Sequence, residues 1–214
     1  MYRVVKAKEP DGMIVNHMSF NTMIPTLSFS DVVYAGEHEN YEDPLTGQLR
    51  FNSTPWGIYV ITLGASEHYY SPVHTMVGLL SGTTVWGMGF ESSRRDMERK
   101  YDNIRIAYES FPVKSAKWIP YFEGENLLYK STDSKVKASI YYHIGKDVFL
   151  VVGNFNQDQV NPGIILQLDK LGLKGKKLKA VNALTGQNIP LTSTGLVSPN
   201  VKGKSFTLVK ITSK

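Results

Sequence analysis

The chain has 214 residues, of which 42% are hydrophobic, enough for one or two domains with a substantial core. Its net charge is +5 with lysines dense after Lys170, but they do not interleave with aromatic or arginine residues in a groove-sized element, so nucleic acid is not an expected partner. The absence of cysteine excludes disulfides, thiolate catalysis and cysteine-ligated zinc, and no apolar run is long enough to predict a membrane-spanning helix.

The first predicted element is a short buried strand over residues 13–15. Its carboxyl end delivers the polar side chains of Asn16, His17 and Ser19, and a long loop with several acids follows. That loop carries Asp31, Glu37, His38 and Glu39. Parallel α/β barrels place their chemistry just beyond the carboxyl ends of strands, so we expect these residues at a barrel mouth. The strand comes only about a dozen residues into the chain, so we expect the N-terminal barrel portion of the same protein to be missing.

Strand and helix patterns then alternate. Residues 57–63 are a short apolar run typical of a buried strand or a helix start, residues 74–80 indicate a short helix, and residues 81–90 a further strand. The clearest helix covers residues 94–111. It has an apolar face at Met97, Tyr101, Ile104 and Tyr108, a serine cap at 92 or 93, and a stop at Pro112. This order predicts a parallel sheet with helices packed on it.

The pattern changes near residue 125. Residues 136–144 alternate between apolar and polar, which predicts a strand with one buried face, and residues 148–152 are apolar throughout, which predicts a central strand. Further strands are predicted at residues 164–168, 177–183 and 206–212. The predicted fold is α/β plus all-β: residues 1–125 form the C-terminal portion of a (β/α)8, TIM-like barrel, and residues 126–214 a small antiparallel β-sandwich.

Several segments resemble the C-terminal part of glycoside-hydrolase-like proteins, in which such a sandwich follows the barrel. They are residues 17–19, 25–31, 36–37, 118–122, 139–158 and 166–173. The resemblance is greatest to uncharacterised proteins related to glycoside hydrolase family 123. The sequence lacks the adjacent Asp-Glu pair that this family uses for substrate-assisted catalysis, so the resemblance implies a carbohydrate substrate but not that specific activity.

Most glycosidases need two carboxyl groups that flank the scissile bond. Glu37 and Asp31 are the predicted catalytic residues. Glu37 ranks first, because Gly36 allows close approach of the backbone to a ligand and His38 can orient the carboxylate. Two other readings stay open: a loop acid paired with a nearby base for Glu37, and a helix N-cap or turn residue for Asp31.

The predicted substrate-binding residues surround these acids. They are His17, Ser19, His38, Glu39 and Trp56. His17 can bond a sugar hydroxyl or carry a proton, or simply fill the barrel top. Trp56 can stack on a sugar, whereas Trp118 is interpreted as interdomain packing. The histidines have no metal-ligand spacing, so neither a metal nor a cofactor is expected.

Two functional hypotheses follow. The first is a glycoside hydrolase that acts on a polysaccharide or glycoconjugate when full length, with the fragment alone inactive. The alternative is a non-catalytic module, either carbohydrate-associated or purely structural. The sequence indicates no compartment, and a secreted or periplasmic location is the expectation for a full-length enzyme. Substrate, linkage and stereochemical course are not encoded in these motifs.

Overall fold

A computed structural model describes residues 2–18, 28–35, 58–63, 65–66, 69–70, 72–86 and 94–213. The described part is a mixed α/β structure that consists mostly of sheets, with few helices. The helices are α1 (Tyr2–Lys8), α2 (Pro72–Leu80), α3 (Arg94–Glu109) and the single turn α4 (Tyr121–Gly124), and a 3-10 turn covers Val113–Ser115. None of the described helices is long and apolar enough to cross a membrane.

The strands follow in chain order. They are β1 (Val15–Met18), β2 (Val32–Ala35), β3 (Tyr59–Leu63), β4 (Ala65–Ser66), β5 (Tyr69–Tyr70), β6 (Thr84–Trp86), β7 (Lys117–Ile119), β8 (Tyr129–Ser131), β9 (Val136–His143), β10 (Asp147–Asn154), β11 (Ile164–Leu166), β12 (Leu178–Asn182), β13 (Asn188–Ile189), β14 (Leu196–Val197) and β15 (Ser205–Ser213). The strands predicted around residues 136–144, 148–152, 164–168, 177–183 and 206–212 are confirmed as β9, β10, β11, β12 and β15.

Four strands form a parallel sheet in the order β1-β2-β3-β6. Val15 pairs with Val32, and Val32 in turn pairs with Tyr59, so the strands start nearly level. Helix α2 lies between β3 and β6 in the chain and packs against both. Strands that are successive, adjacent and parallel need such crossovers, because a tight turn cannot join two parallel strands. The carboxyl ends of all four strands therefore meet at one edge of the sheet.

Strand β1 differs from its prediction. The strand begins at Val15 rather than at residue 13, and it is not buried: Val15 is 51% exposed and Met13 is 71% exposed. The reason is its place at the edge of the sheet, where β2 is its only partner among the described strands. An apolar run of three residues cannot distinguish an edge strand from a central one.

Helix α3 is confirmed, and it ends at Glu109, two residues before the predicted end. Ile104 and Ala107 are buried, while Asp102 and Arg105 lie on the exposed side, as the 3.6-residue period predicts. The predicted serine caps at 92 and 93 lie outside the described residues.

The rest of the chain forms two antiparallel sheets. A six-stranded sheet has the order β13-β12-β15-β10-β9-β7, and a three-stranded sheet has the order β14-β11-β8. One core lies between them and contains, among others, Tyr129, Ile140, Leu150, Ile164 and Val209. Strand β7 already belongs to the six-stranded sheet although it precedes residue 125. The domain boundary at 125/126 stays a prediction.

A second core lies on the opposite face of the six-stranded sheet. Met76 and Leu80 of α2 and Ile104 of α3 pack there against Phe149 and Val151 of β10. Both faces of β10 are therefore covered, and all eight of its residues are buried. The prediction of a central strand is confirmed, and helices from the α/β part supply its second cover. We call this second cluster the helix-side core.

The alternation in β9 is confirmed, but its polar face is only partly exposed. Ser139 is fully buried, and its Oγ donates to the carbonyl of Leu80 at 2.5 Å and accepts the amide of Tyr121 at 2.9 Å. Trp118 packs on the turn before β6: a Cβ on Gly82 would lie 2.6 Å from its ring, and Gly82 has a φ of +66°. Trp118 thus contacts the α/β part from β7.

Candidate functional site

Asp31 lies at the amino end of the parallel sheet. It directly precedes β2, and its Oδ2 accepts the amide of Ile14 at 2.8 Å while Lys6 Nζ lies 3.0 Å from Oδ1. The hydrogen bond from Ile14, and then the Lys6 ammonium, lower the pKa of Asp31. The sequence analysis placed this residue in one continuous loop at the barrel mouth. That interpretation is corrected, because a strand separates Asp31 from Glu37 and puts it at the opposite edge.

The alternative helix N-cap role for Asp31 is also absent, since a strand follows it. The Asp31 carboxylate instead links the start of β2 to Lys6 of α1 and to Ile14, the residue before β1. A carboxylate with a lowered pKa that is held by an amide and an ammonium is a poor proton donor near neutral pH. Its arrangement indicates a structural role.

His17 lies at the other end of the same pair of strands. It is the third residue of β1 and pairs with Tyr34 of β2, and the ring centroids are 4.9 Å apart. His17 is exposed, whereas Tyr34 is only 8% exposed. The position near the carboxyl ends agrees with the predicted location, and its role in binding stays a prediction. His17 and Asp31 are not brought together.

The remaining predicted site residues lie outside the described part of the chain. These are Ser19, Glu37, His38, Glu39 and Trp56. The described strands still give their order: β1 ends at Met18, immediately before Ser19, and β2 ends at Ala35, two residues before Glu37. The groups that the sequence singled out for chemistry therefore follow the carboxyl ends of two neighbouring parallel strands.

A cleft of about 500 Å³ opens at the other edge of the parallel sheet. Its lining includes Tyr59, the first residue of β3, and Gly82 and Thr83, which directly precede β6. Helix α3 forms one wall and Tyr141 of β9 contributes from the six-stranded sheet. The cleft thus lies between the α/β part and the antiparallel sheet. We refer to it as the tyrosine cleft.

Four tyrosines line this cleft: Tyr59, Tyr101, Tyr108 and Tyr141. Burial raises the pKa of Tyr141 to about 12, although the neighbouring Tyr108 hydroxyl acts to lower it. Burial also raises the pKa of Tyr108 well above its usual value, and the Tyr141 hydroxyl adds to that shift. Tyr101 contacts Thr75, with 3.4 Å between their hydroxyl oxygens. All three phenols stay protonated near neutral pH.

The rim of the tyrosine cleft is charged. Arg105 Nη1 lies 2.7 Å from Glu109 Oε1, and Arg105 Nε lies 3.4 Å from Asp102 Oδ1. Both acids raise the pKa of Arg105, with Glu109 contributing most. These side chains are about 60% exposed, so each ion pair adds little to stability and can rearrange when a ligand binds.

Sequence reasoning missed the tyrosine cleft. The spacing of Tyr101 and Tyr108 placed both on one helix face, which is equally typical of core packing. Tyr59 and Tyr141 come from strands that are distant in sequence, and Tyr141 had been assigned to a solvent face. No local pattern connects these three elements.

A Ser-His-Asp arrangement joins the 3-10 turn to the β9–β10 hairpin. Ser115 Oγ lies 3.0 Å from His143 Nε2, and His143 Nδ1 lies 2.6 Å from Asp147 Oδ1. These distances suit a nucleophile and its base. However, the amides of Ser115 and Ala116 already donate to the carbonyls of Pro112 and Val113, so they cannot form an oxyanion hole. The arrangement is a hydrogen-bonded link between elements rather than an acyl-transfer site.

Within the described residues, no three His, Asp or Glu side chains are grouped closely enough to hold a metal ion.

No family model matches the sequence, and no curated protein matches it at a significant level. Solved structures do match over nearly the whole chain. A maltogenic α-amylase from Thermotoga neapolitana gives a TM-score of 0.58 at 8% identity, over 98% of this chain and 57% of its own. An α-amylase from Geobacillus thermoleovorans, complexed with acarbose, gives 0.59 at 8% identity, over 100% of this chain and 56% of its own.

A third similar structure is a β-L-arabinopyranosidase of family GH27 from Geobacillus stearothermophilus. Its TM-score is 0.56 at 9% identity, over 99% of this chain and 53% of its own. This chain therefore spans a little more than half the length of the structures it matches. At such identities the likeness concerns the fold alone, and the three matched structures described above are glycoside hydrolases.

Proposed function

We propose that the chain is part of a glycoside hydrolase that acts on a polysaccharide or glycoconjugate. In this proposal the parallel strands are the closing portion of a (β/α)8 barrel, and the two antiparallel sheets are the β-sandwich that follows it. The observation that carries the proposal is that β1, which carries His17, pairs in parallel with β2, which ends two positions before Glu37 in the sequence. Barrel enzymes place their catalytic groups there.

The open edge of β1 supports the barrel. Its one described partner is β2, and Val15 and Met13 expose large parts of their apolar side chains beside that edge. Unpaired strand edges are sites of further pairing, and a barrel removes them by closure. We infer that another barrel strand of the same protein pairs with β1. The chain by itself should then aggregate or need a partner, and a monodisperse, high-melting monomer in size-exclusion chromatography and thermal melts would count against this inference.

Glu37 is proposed to act at the glycosidic oxygen as a proton donor, or to accept hydrogen bonds from sugar hydroxyls. His17, Ser19, His38, Glu39 and Trp56 are proposed to surround the sugar. Asp31 is no longer included, since its carboxylate is used at the opposite edge of the sheet. A second catalytic carboxylate is required and is expected in another part of the barrel mouth. Membership of glycoside hydrolase family 123 remains a proposal that rests on the sequence motifs.

The test is steady-state kinetics of the full-length protein with Glu37→Gln on a panel of chromogenic glycosides. The substitution keeps the shape of the side chain and removes proton transfer. A general acid at this position predicts a kcat lower by about 100-fold or more. A binding role predicts mainly a higher KM.

Asp31→Asn is the matched control, because it removes another carboxylate from the same predicted loop. Its kinetics should equal those of the wild type. Wild-type kinetics in Glu37→Gln would end the assignment, and sugar binding without hydrolysis of any glycoside would favour the non-catalytic alternative.

A further inference from the structure

The tyrosine cleft lies on the opposite side of the parallel sheet from the proposed barrel mouth. Tyr59 and Thr83 stand at the amino ends of β3 and β6, whereas the mouth lies beyond the carboxyl ends. Any ligand in this cleft would be separated from the carboxyl ends of these strands by the length of the strands. The cleft is therefore not a subsite of the proposed catalytic centre.

The volume and lining of the cleft suit a small ligand. About 500 Å³ is within the range of small-molecule sites, which combine apolar walls with a few polar groups. Leu79, Ile104 and Val113 supply apolar surface between the tyrosine rings. Tyr59 is 54% exposed, so part of its ring surface is open to a ligand.

Two phenol groups of the cleft lie beside each other. The Tyr108 hydroxyl is buried, and the Tyr141 hydroxyl is its neighbour, so that each influences the pKa of the other. A phenol hydroxyl can both donate and accept a hydrogen bond, as the hydroxyls of a sugar can.

The charges of the rim restrict the kind of ligand. Asp102 accepts hydrogen bonds, Arg105 donates them, and Glu109 gives the rim one more negative than positive charge. Phosphate and carboxylate ligands need an excess of donors and positive charge, which this rim lacks. Sugar hydroxyls use both donors and acceptors, and the flat apolar face of a pyranose matches an exposed tyrosine ring.

We propose that the tyrosine cleft binds a neutral pyranose unit of the glycan, with Tyr59 as the stacking platform and Asp102 and Arg105 as its hydroxyl-binding groups. The choice of a sugar as the ligand rests in part on the proposed function, whereas the geometry of the cleft is independent of that function. Such a site would hold a glycan chain on the protein surface while another part of it occupies the barrel mouth.

The experiment is isothermal titration calorimetry and saturation-transfer NMR on the full-length protein, with the methyl pyranosides of glucose, galactose, mannose, xylose and N-acetylglucosamine as probes. At least one probe should bind with a dissociation constant in the millimolar range. Tyr59→Ala and Arg105→Ala should each weaken that binding by about tenfold, and both side chains are exposed enough for the variants to fold. Arg99→Ala, an exposed change on the same helix but outside the cleft, should leave binding unchanged.

Glu37→Gln separates this proposal from the proposed function. It should impair hydrolysis by the full-length protein and leave binding in the tyrosine cleft intact. If the full-length protein binds a probe through Tyr59 but hydrolyses no glycoside, the sugar-binding proposal for the tyrosine cleft is supported. The proposed glycoside hydrolase function is then refuted. Binding that is lost in Glu37→Gln but kept in Tyr59→Ala, or no saturable binding of any probe, would overturn the cleft proposal.

Discussion

Val148 in β10 is completely buried, whereas Val15 in β1 is 51% exposed, although both are valines in β-strands. Strand β10 has neighbours along both edges and a covered surface on both faces, since the three-stranded sheet packs on one side and helices α2 and α3 on the other. Strand β1 has one described neighbour. The burial of these two valines thus depends on which strands, sheets and helices surround the strand, and not on the residue type within it.

Within the described residues, the strands of the antiparallel part are covered by neighbouring layers, whereas β1 of the parallel part is not. The core between the two antiparallel sheets draws its buried residues from seven of their strands. The parallel sheet instead exposes apolar residues at Val15 and Met13. The antiparallel part should therefore dominate the measured stability of the chain, and the following predictions test that contrast.

The largest effect is expected for Phe149→Ala in β10. Phe149 is fully buried in the helix-side core and contacts Tyr108 and Phe111, so its removal leaves a cavity that should cost about 3 to 5 kcal/mol of unfolding free energy. Chemical denaturation monitored by circular dichroism measures this change. Val15→Ala in β1 is the control and should cost less than about 1 kcal/mol. Equal losses in the two variants would refute the contrast between the strands.

A smaller effect is expected for Gly153→Ala, which probes the contact between the two parts directly. An added Cβ would lie 2.7 Å from Leu80 Cδ1 and 2.9 Å from Met76 Cγ of α2, so overpacking should cost about 1 to 3 kcal/mol. The same denaturation experiment is made on Leu80→Ala and on the double variant Gly153→Ala/Leu80→Ala, which together form a double-mutant cycle. The double variant should lose less stability than the two single losses combined, because the smaller side chain makes room for the methyl group. Strict additivity would mean that α2 does not pack on β10.

The smallest effect on stability is expected from the ionisation of the buried tyrosines in the tyrosine cleft, and it is absent at neutral pH. Folding raises the pKa of Tyr141 to about 12, so the unfolded chain releases this proton first, near pH 10. The contribution of Tyr141 is fully present below about pH 10 and is lost as the pH rises toward about 12. The raised pKa of Tyr108 acts in the same direction.

Thermal melts between about pH 8 and 11 test this expectation. The melting temperature should fall in the alkaline range, and Tyr141→Phe and Tyr108→Phe should each reduce the slope of that fall. Tyr2→Phe on α1, outside the cleft, is the control and should follow the wild type. Identical slopes in all four proteins would show that these phenols are not buried together.

Local patterns were sufficient for several elements. The helix over Arg94–Glu109 and the strands β9, β10, β12 and β15 were predicted from periodicity alone, since period and side-chain type are properties of neighbouring residues. The glycoside-hydrolase-like fold was anticipated from motifs, and the fold comparisons support that coarse assignment. Two predicted site residues fall within the described part of the chain, and only His17 lies near the expected edge.

The sequence by itself determined which segments are strands or helices and which acids are available for chemistry. Only the tertiary structure decided which face each segment covers and which partners Asp31 has. The alternation of β9 is the same whether its polar face meets water or a helix, and α2 buries Ser139 there. Asp31 lies at the amino end of β2, where it accepts the amide of Ile14 and pairs with Lys6, two residues that precede it by 17 and 25 positions. Both outcomes depend on long-range packing, which a local pattern cannot encode.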